Sequence, residues 1–247
     1  MEKDRLIYTR PFKIRSIDVD ADRKLRLSVL FSDFQEAAIA HTEALGMGRE
    51  KTLDRGLLWI VTHQRAQISR LPGYDEEVVL RSWPGENMHL IFPRYFSVET
   101  AAGEPLIKAS ALWSLMDEKE RKIVFPENHG VEIDGIITGN EIALPSPVKP
   151  LPCNESTEFC VPYSFVDLNG HMNNTRYPDI LCSYSGNMNN KRVSSMCISY
   201  VSEAPLGEEI KIYRGYHDDV CYIRTIRPDG RVNVEAEINF TETKRAK

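Results

Sequence analysis

Apolar residues recur at helical spacing in two stretches of the chain, and strand-like runs follow each of them. The stripe of the first stretch consists of Leu30, Phe34, Ala37, Ala38, His41 and Leu45. Steps of three and four residues place these side chains on one face of a helix. Ser28 is predicted to cap this helix, and Gly46 and Gly48 are predicted to end it. Because His41 lies on the apolar face, we interpret it as a core residue.

The second stretch is shorter and begins after a run of polar residues. Its stripe consists of Tyr177, Ile180, Leu181 and Tyr184. Asn174 or Thr175 is predicted to cap the helix. Pro178 then falls in the first turn, where its missing N–H costs no helical hydrogen bond. The sequence therefore predicts one main helix in each half of the chain.

Most of the remaining sequence has the composition of β-strands. The predicted strands are rich in β-branched and aromatic residues and cover 57–62, 78–83, 94–99, 109–116, 210–213, 221–224 and 232–240. Turn signals containing glycine or proline lie between them. A helix followed by several antiparallel strands in each half indicates an α+β fold.

A proline-rich segment, residues 144–152, separates the two halves. It contains four prolines, at positions 145, 147, 150 and 152. Such a composition opposes helix and favours an extended linker. We therefore expect an N-terminal unit over residues 1–143 and a C-terminal unit over 153–247, both of ordinary domain size.

The two halves also look like distant copies of one another. Residues 18, 20 and 22 of the first half, all aspartates, align with Asp167, Asn169 and His171 of the second. Farther along, residues 68–72 align with 201–205, so that Arg70 falls against Glu203. Two similarities in the same order favour duplication of one folding unit.

Composition and charge exclude some classes of protein. The chain has 247 residues and a net charge of −5, whereas nucleic-acid binders are more often basic. No apolar run is long enough to span a bilayer. The first residues are charged and no apolar signal region follows, which favours a cytoplasmic protein. The five cysteines are scattered without a C-x-x-C motif, so we expect reduced thiols and neither a disulfide framework nor a zinc site.

The strongest candidate for chemistry is the segment 167–174. It carries Asp167, Asn169 and His171 at alternate positions just before the second helix. In an extended segment alternate side chains point the same way, so a carboxylate, a carboxamide and an imidazole are expected to converge. Acyl-transfer chemistry uses such a set. A polar turn that only caps the helix is the alternative interpretation, and a metal site formed with Glu203 is a second one.

Several segments together resemble the acyl-ACP thioesterases (acyl-acyl-carrier-protein hydrolases) of the plant and bacterial type. They occur in order along the chain, at 12–16, 21–23, 35–37 with His41, 58–62, 109–113 with 116–117, 167–174 with Tyr177, and 194–196 through Tyr200 and Glu203. The resemblance implies a double hotdog fold, in which each of two tandem units has an antiparallel sheet wrapped round a long helix. It also implies hydrolysis of fatty acyl-ACP to free fatty acid and holo-ACP, without a metal or other cofactor.

The same resemblance assigns catalytic roles to Asp167, Asn169, His171 and Glu203. Many family members have a cysteine directly after the acidic residue, where this chain has Ala204. A thiol at that position therefore cannot be the nucleophile here. Glu203 or His171 is expected to activate water, while Asp167 either orients the imidazole or attacks the thioester itself. The first half, which lacks a histidine at the aligned place, is expected to shape the acyl pocket.

The partner implied by the resemblance is acyl carrier protein with its phosphopantetheine-linked fatty acyl chain. An acidic carrier protein requires a local basic surface on a chain of negative net charge. The candidate clusters are residues 23–26, 119–122 and 191–192. An acyl-CoA thioesterase, another hotdog enzyme and a non-catalytic acyl-binding module stay as alternative functions. A homodimer stays open as the quaternary structure.

Overall fold

The computed structural model describes residues 6–153, 155–186 and 191–242. These residues form two compact units, Met1–Pro145 and Ser146–Lys247. The charged residues 1–5, on which the predicted location partly depends, lie outside the described residues.

The first unit contains one main helix and an antiparallel sheet. Its elements are β1 (Tyr8–Lys13), α1 (Leu27–Ala44), β2 (Leu57–Ile68), β3 (Glu77–Pro84), β4 (Phe92–Thr100), β5 (Pro105–Asp117) and the short β6 (Lys122–Ile123). The strand order is β1-β3-β4-β5-β2, and β6 pairs with β5. The strands predicted from composition are all present, and each is longer than predicted.

Helix α1 packs its apolar stripe into the core of the first unit. Leu30, Phe34, Ala37 and His41 are all buried, and the Phe34 ring stacks on Phe96 with 4.7 Å between ring centroids. The predicted N-cap is wrong. Ser28 is the second residue of the helix, and Arg26 occupies the N-cap position without a side-chain hydrogen bond. This helix begins without a side-chain cap because burial of its apolar face, rather than capping, holds it in place.

The second unit repeats this plan with a shorter helix. Its elements are β7 (Glu155–Cys160), α2 (Tyr177–Tyr184), β8 (Lys191–Tyr200), β9 (Glu209–His217), β10 (Val220–Ile226) and β11 (Val232–Glu242). The antiparallel order is β8-β11-β10-β9-β7. A 3-10 turn over Asn174–Arg176 precedes α2, and Pro178 lies in the first turn of the helix as predicted.

Residues 131–153 form neither helix nor strand. The Asn87 side-chain amide donates to the carbonyl of Ile133 (2.7 Å), and the Ser110 hydroxyl to that of Ala143 (3.1 Å). On the second unit the Cys197 thiol contacts the carbonyl of Ser146. Hydrogen bonds therefore attach the predicted linker and the residues before it to the unit on either side of the division at residue 145.

Equivalent main-chain hydrogen bonds define which residues of the two units correspond. Leu25 N–H donates to the carbonyl of Pro72 (2.9 Å), just as Met172 N–H donates to the carbonyl of Ala204 (2.8 Å). The bridges Val19–Leu25 and Val166–Met172 close turns of the same length. Asp167 therefore corresponds to Asp20 rather than Asp18, so the sequence alignment is wrong by two residues. The second alignment is wrong by one residue.

The corrected alignment changes the partner of each candidate site residue. Asn169 corresponds to Asp22, His171 to Lys24 and Glu203 to Leu71. The two units share a main-chain framework but differ in the side chains at these positions. Together with the single main helix and antiparallel sheet in each unit, this repetition confirms the predicted α+β class.

Candidate active site

The candidate catalytic residues lie on a tight turn and not on an extended segment. Asp167 N–H donates to the carbonyl of His171 (3.1 Å), and Gly170 N–H donates to the carbonyl of Asp167 (3.0 Å). Gly170 has a φ of +80°, a conformation that glycine adopts without strain. The Asp167 carboxylate accepts the main-chain N–H of Asn169 at 2.8 Å, which stabilises the turn. The expectation of an extended segment is therefore wrong.

His171 leaves this turn and meets Glu203. The Nε2 atom of His171 lies 3.1 Å from Oε1 of Glu203. The His171 side chain is 20% exposed and that of Glu203 is 41% exposed, so the pair is reachable from solvent. A carboxylate only accepts hydrogen bonds, so a neutral imidazole donates through Nε2 and keeps a lone pair on Nδ1. The pair thus has the composition of an oriented proton-transfer base.

Main-chain contacts bring the two residues together from positions 32 apart in sequence. His171 forms an isolated antiparallel bridge with Pro205, and Met172 N–H donates to the carbonyl of Ala204 at 2.8 Å. Glu203 lies in the segment between β8 and β9, outside regular secondary structure. The geometry of the pair therefore depends on how this segment is held.

Asp167 and Asn169 form a separate group beside that pair. The second carboxylate oxygen of Asp167 accepts a hydrogen bond from the Asn173 side-chain amide at 3.0 Å. Asn169 is exposed, and its described hydrogen bond to Asp167 is made by its main chain. Among the described contacts, neither the Asp167 carboxylate nor the Asn169 side chain meets His171 or Glu203. The four predicted site residues thus lie on one turn and its neighbouring segment, and the side chains of His171 and Glu203 touch.

Asn173 is a site residue that sequence reasoning missed. Its side-chain oxygen accepts hydrogen bonds from Thr175 N–H (2.9 Å) and the Thr175 hydroxyl (2.7 Å), while its amide nitrogen holds Asp167. Asn173, and neither Asn174 nor Thr175, is therefore the N-cap of the turn that leads into α2. The signal was available, because asparagine is among the residues preferred at the N-cap.

An ion pair lies close to Glu203 in the second unit. Arg227 binds Glu208 through two hydrogen bonds of 2.9 and 2.7 Å, and both side chains are largely buried. The hydrogen bonds that Arg227 donates to Glu208 are the largest cause that raises the pKa of Arg227 above its usual value, and the nearby carboxylates of Asp229 and Glu203 raise it further. Arg227 therefore stays charged and fixes the start of β9 behind the site.

The equivalent turn of the first unit lacks this chemistry. Lys24 forms the bridge to Gly73 that His171 forms to Pro205, and Leu71 stands at the position of Glu203. The Asp20 carboxylate still accepts Asp22 N–H at 2.9 Å, so the turn itself is retained. An ammonium group and an apolar side chain cannot replace an imidazole and a carboxylate in base catalysis. The same turn is thus present in both units, but only the second unit carries the histidine and the glutamate.

His41 lies in the core of the first unit, as expected. Its Nδ1 atom is 3.1 Å from the Arg94 guanidinium, which also donates to Ser82 (3.1 Å) and Thr42 (3.2 Å). Burial lowers the pKa of Arg94 to about 10, so it keeps its charge at neutral pH. This buried cluster links α1 to β3 and β4, and we interpret it as structural.

The described residues contain neither a cluster of metal-binding side chains nor a membrane-spanning helix. Within residues 6–153, 155–186 and 191–242, no three His, Cys, Asp or Glu side chains are gathered so as to hold a metal ion. Over the same ranges, no helix has both the length and the apolar character needed to cross a membrane.

Comparison with known protein families identifies the chain. The model of the acyl-ACP thioesterase N-terminal domain matches residues 5–129, and that of the C-terminal domain matches residues 149–242. The chain belongs to the acyl-ACP thioesterase family. The resemblance drawn from the sequence motifs is therefore confirmed.

Curated relatives carry names from the same family. The palmitoyl-acyl carrier protein thioesterase of Arabidopsis thaliana is 24% identical over 81% of this chain and 53% of its own length. The dodecanoyl-[acyl-carrier-protein] hydrolase of Cinnamomum camphora is 27% identical over 81% of this chain and 57% of its own length. Both are named as chloroplastic. The chain thus spans about half the length of the curated relatives it matches.

Solved structures establish the fold. An acyl-ACP thioesterase from Bacteroides thetaiotaomicron superposes with a TM-score of 0.87 at 21% identity, covering 98% of this chain and 100% of that one. The 12:0-ACP thioesterase of Umbellularia californica superposes with a TM-score of 0.81 at 21% identity, covering 96% of this chain and 95% of the other. The predicted double hotdog fold is confirmed.

Proposed function

We propose that this chain hydrolyses the thioester of fatty acyl-acyl carrier protein and releases free fatty acid and holo-ACP. The observation that carries the proposal is the 3.1 Å distance between Nε2 of His171 and Oε1 of Glu203. The first unit has the equivalent turn but no histidine on it. Family membership supplies the substrate class. The catalytic assignment of Asp167, Asn169, His171 and Glu203 remains part of the proposal.

In the proposed mechanism the imidazole of His171 is the general base. Glu203 accepts the hydrogen bond from Nε2–H, so the lone pair of Nδ1 is available. Nδ1 takes a proton from a water molecule while the oxygen of that water bonds to the thioester carbon. The exposed carboxamide of Asn169 is proposed to donate to the developing oxyanion. When the carbon–sulfur bond breaks, the thiolate of the phosphopantetheine arm leaves and takes the proton back from the imidazolium.

Attack by Asp167 is the competing mechanism. Both oxygens of this carboxylate already accept hydrogen bonds, from Asn169 N–H and the Asn173 amide, which lowers its nucleophilicity. This favours a role for Asp167 in holding the turn. A single turnover in ¹⁸O-labelled water tests for attack by Asp167. Direct attack by water puts the label into the released fatty acid and leaves Asp167 unlabelled. Attack by Asp167 expels the thiolate and forms a mixed anhydride, and water that opens it at the aspartyl carbon leaves the label in Asp167 and an unlabelled oxygen in the fatty acid.

The first unit is proposed to shape the acyl pocket. Its equivalent turn carries Lys24 and Leu71, so catalysis does not explain why this unit is present. A product profile tests this. Phe34→Leu alters the buried core of the first unit and is expected to change the preferred acyl length, since each methylene buried contributes about 0.8 kcal/mol.

The proposed partner is acyl carrier protein, and three basic clusters are candidates for its docking. Arg23 and Arg26 are exposed in the first cluster, and Arg121 and Lys122 are exposed in the second. Charge reversal at the cluster that docks the carrier should raise KM for acyl-ACP and leave hydrolysis of acyl-CoA unchanged. Cytoplasmic location and a homodimer stay predictions, which cell fractionation and analytical ultracentrifugation test.

The decisive experiment is a thiol-release assay across acyl-ACP and acyl-CoA substrates of several chain lengths. The proposal expects free thiol and free fatty acid in equal amounts, with a higher kcat/KM for acyl-ACP than for acyl-CoA. A preference for acyl-CoA would favour the related acyl-CoA thioesterases. If no thiol is released at any chain length, the chain is an acyl-binding module and the proposal is wrong.

A further inference from the structure

A group of hydrogen-bonded polar residues lies buried behind the Glu203 segment. We call Tyr177, Ser202, Thr225 and Asn233 the Asn233 network. The Asn233 side-chain amide donates to the carbonyl of Ser202, and its side-chain oxygen accepts the hydroxyl of Thr225 at 2.9 Å. The buried Tyr177 side chain lies beside that of Asn233. Asn233 and Thr225 are both fully buried, so each of these hydrogen bonds replaces one that water would have made.

The network ends on the peptide bond that leads into Glu203. The carbonyl of Ser202 belongs to that peptide group, so the Asn233 amide fixes its plane. The main-chain carbonyl of Asn233 accepts the N–H groups of Val201 (2.9 Å) and Ser202 (3.1 Å). The Ser202 hydroxyl donates to the carbonyl of Val232 at 2.7 Å. Hydrogen bonds from strand β11 thus fix both the main chain of the residues before Glu203 and the side chain of Ser202.

The first unit supplies an internal control for this arrangement. There the carbonyl of Leu106 accepts the N–H groups of Ser69 (3.0 Å) and Arg70 (3.4 Å), so Leu106 corresponds to Asn233. Val98 pairs with Ile107 as Thr225 pairs with Val234, so Val98 corresponds to Thr225.

The start of the main helix differs in the same way. Leu30 lies four residues after the N-cap Arg26, and Tyr177 lies four residues after the N-cap Asn173. Leu30 therefore corresponds to Tyr177. The first unit therefore has Leu, Val and Leu where the second has Tyr, Thr and Asn, and all six side chains are buried.

This comparison separates folding from function. The same main-chain hydrogen bonds form in the first unit with three apolar side chains, so the framework does not need the polar ones. In the segment that these hydrogen bonds fix, the second unit has the acidic residue Glu203 where the first unit has Leu71. A buried polar group is costly unless it is fully hydrogen-bonded, and catalytic side chains on loops need supporting residues to fix them.

We propose that Asn233 is a positioning residue that, with Thr225 and Tyr177, fixes Glu203 against His171. The inference rests on the proposed function, in which that pair is the base. Asn233 does not touch the substrate. It fixes the peptide plane before Glu203, and the carboxylate then holds the imidazole in the orientation that takes the proton from water.

The experiment rebuilds the first unit's apolar pair in the second. The double variant Thr225→Val, Asn233→Leu removes both partners of the buried hydrogen bond and should still fold, since Val98 and Leu106 fill these positions in the first unit. We expect kcat for acyl-ACP to fall about tenfold or more with KM little changed. The matched control is Asn239→Leu, at a half-buried position on the same strand, which should leave both constants within about twofold.

A double-mutant cycle identifies the residue through which the network acts. If Asn233 works through Glu203, adding Asn233→Leu to Glu203→Gln causes no further loss of kcat. Full additivity of the losses caused by Glu203→Gln and Asn233→Leu would overturn the inference. An unchanged kcat in the Thr225→Val, Asn233→Leu variant would overturn it as well. If the double variant fails to fold, Thr225→Val alone removes the hydroxyl that orients Asn233 and is tested in the same cycle.

A crystal structure of the double variant separates this inference from the proposed function. We expect the contact between His171 Nε2 and Glu203 Oε1, 3.1 Å here, to be lost or to have several arrangements. If the wild-type chain hydrolyses no acyl thioester, the proposed function fails, but the structure still tests the positioning role. An unchanged Glu203 in a well-folded variant would show that Asn233 does not position it.

Discussion

Lys24 and His171 occupy equivalent positions on the same turn, built once in each unit. Lys24 bridges to Gly73 and His171 to Pro205, and both turns are closed by an aspartate that accepts the N–H group two residues later. The backbone therefore positions a side chain in the same way twice, but only the second unit places an imidazole there. A function that depends on this position belongs to the second unit.

Replacing His171 tests this assignment. We expect His171→Ala to lower kcat about 10²- to 10⁴-fold, the usual contribution of a general base, while thermal unfolding stays close to that of the wild type. The imidazole is partly exposed, so its removal leaves no large cavity. Steady-state kinetics and a thermal melt measure the two effects.

The matched control is Lys24→Ala, at the equivalent position of the first unit. It should leave kcat within about twofold, because Lys24 is a half-buried side chain that takes no part in the proposed base, and a role of the 23–26 cluster in docking would change KM instead. Near-normal hydrolysis by a folded His171→Ala variant would contradict the assignment of His171. An equal loss in both variants would show that the turns, and not the imidazole, are needed.

The fold was predictable from the sequence, but the register of the repeat was not. Helical spacing and β-branched runs located the main helices and strands, because burial of one face imposes a period on the sequence. The aspartates at 18, 20 and 22 are spaced by two, so after a slip of two residues an aspartate still stands against Asp167 and against Asn169. Only the hydrogen bonds of Leu25 and Met172 reveal the true alignment.

The site was predictable in composition and only partly in geometry. The sequence motif located the turn residues and resemblance supplied Glu203, yet the turn itself follows from Gly170 at positive φ and from the Asp167 carboxylate. The Asn233 network could not be predicted from the sequence. Its members lie on a helix and two strands that are far apart in sequence, and no local period relates them.

Thiol chemistry provides a second prediction. Cys160 is exposed whereas Cys221 is buried, and burial raises the pKa of the Cys221 thiol. A small thiol reagent at pH 8 should therefore label Cys160 quickly and Cys221 only on unfolding. Because Ala204, and not a cysteine, follows Glu203, labelled protein should keep its hydrolytic activity.

Mass spectrometry of the labelled protein, read beside the activity of the same sample, measures both effects. The Cys160→Ser variant is the control for any steric effect of the label. If activity falls in proportion to labelling and the loss persists in Cys160→Ser, a thiol other than Cys160 is required and the water mechanism is wrong.

The buried guanidinium of the first unit should matter for stability. Arg94→Ala removes the donor to Ser82, Thr42 and His41 and leaves a cavity among them. We expect the free energy of unfolding to fall by about 2–4 kcal/mol, since buried polar groups lose a partner and packed volume is lost. Urea unfolding measures this, and Arg55→Ala, at an exposed arginine, should change it by less than about 0.5 kcal/mol.

Acid should weaken one ion pair of the first unit in a defined range. Arg70 binds Glu76 through two hydrogen bonds of 2.8 Å, and with the Gly73 N–H it holds the pKa of Glu76 below its usual value of 4.5. A carboxyl whose pKa is lower in the folded state stabilises the fold above its unfolded pKa and loses that contribution as pH falls through the folded value.

Unfolding of Glu76→Gln should therefore be compared with the wild type from pH 7 to pH 3. We expect the variant to be less stable by up to about 1 kcal/mol at pH 7, a modest value because the pair is partly exposed, and the two curves to converge below pH 4.5. Glu77→Gln, at an exposed neighbouring carboxylate, is the control. A difference that stays constant down to pH 3 would contradict the role of this pKa shift.

Asn173 should separate capping of the helix from support of the catalytic turn. Asn173→Ala removes the acceptor for Thr175 and the donor to Asp167 together, and loss of such a cap typically costs about 1 kcal/mol. Asn173→Asp keeps the acceptor for Thr175 but loses the donor and places a second carboxylate beside Asp167. We therefore expect the Asp variant to keep most of the wild-type stability at pH 7 and to lose kcat at least as strongly as the Ala variant. Urea unfolding and steady-state hydrolysis of the same samples measure the two effects, and a loss of kcat that only follows the loss of stability would reduce Asn173 to a helix cap.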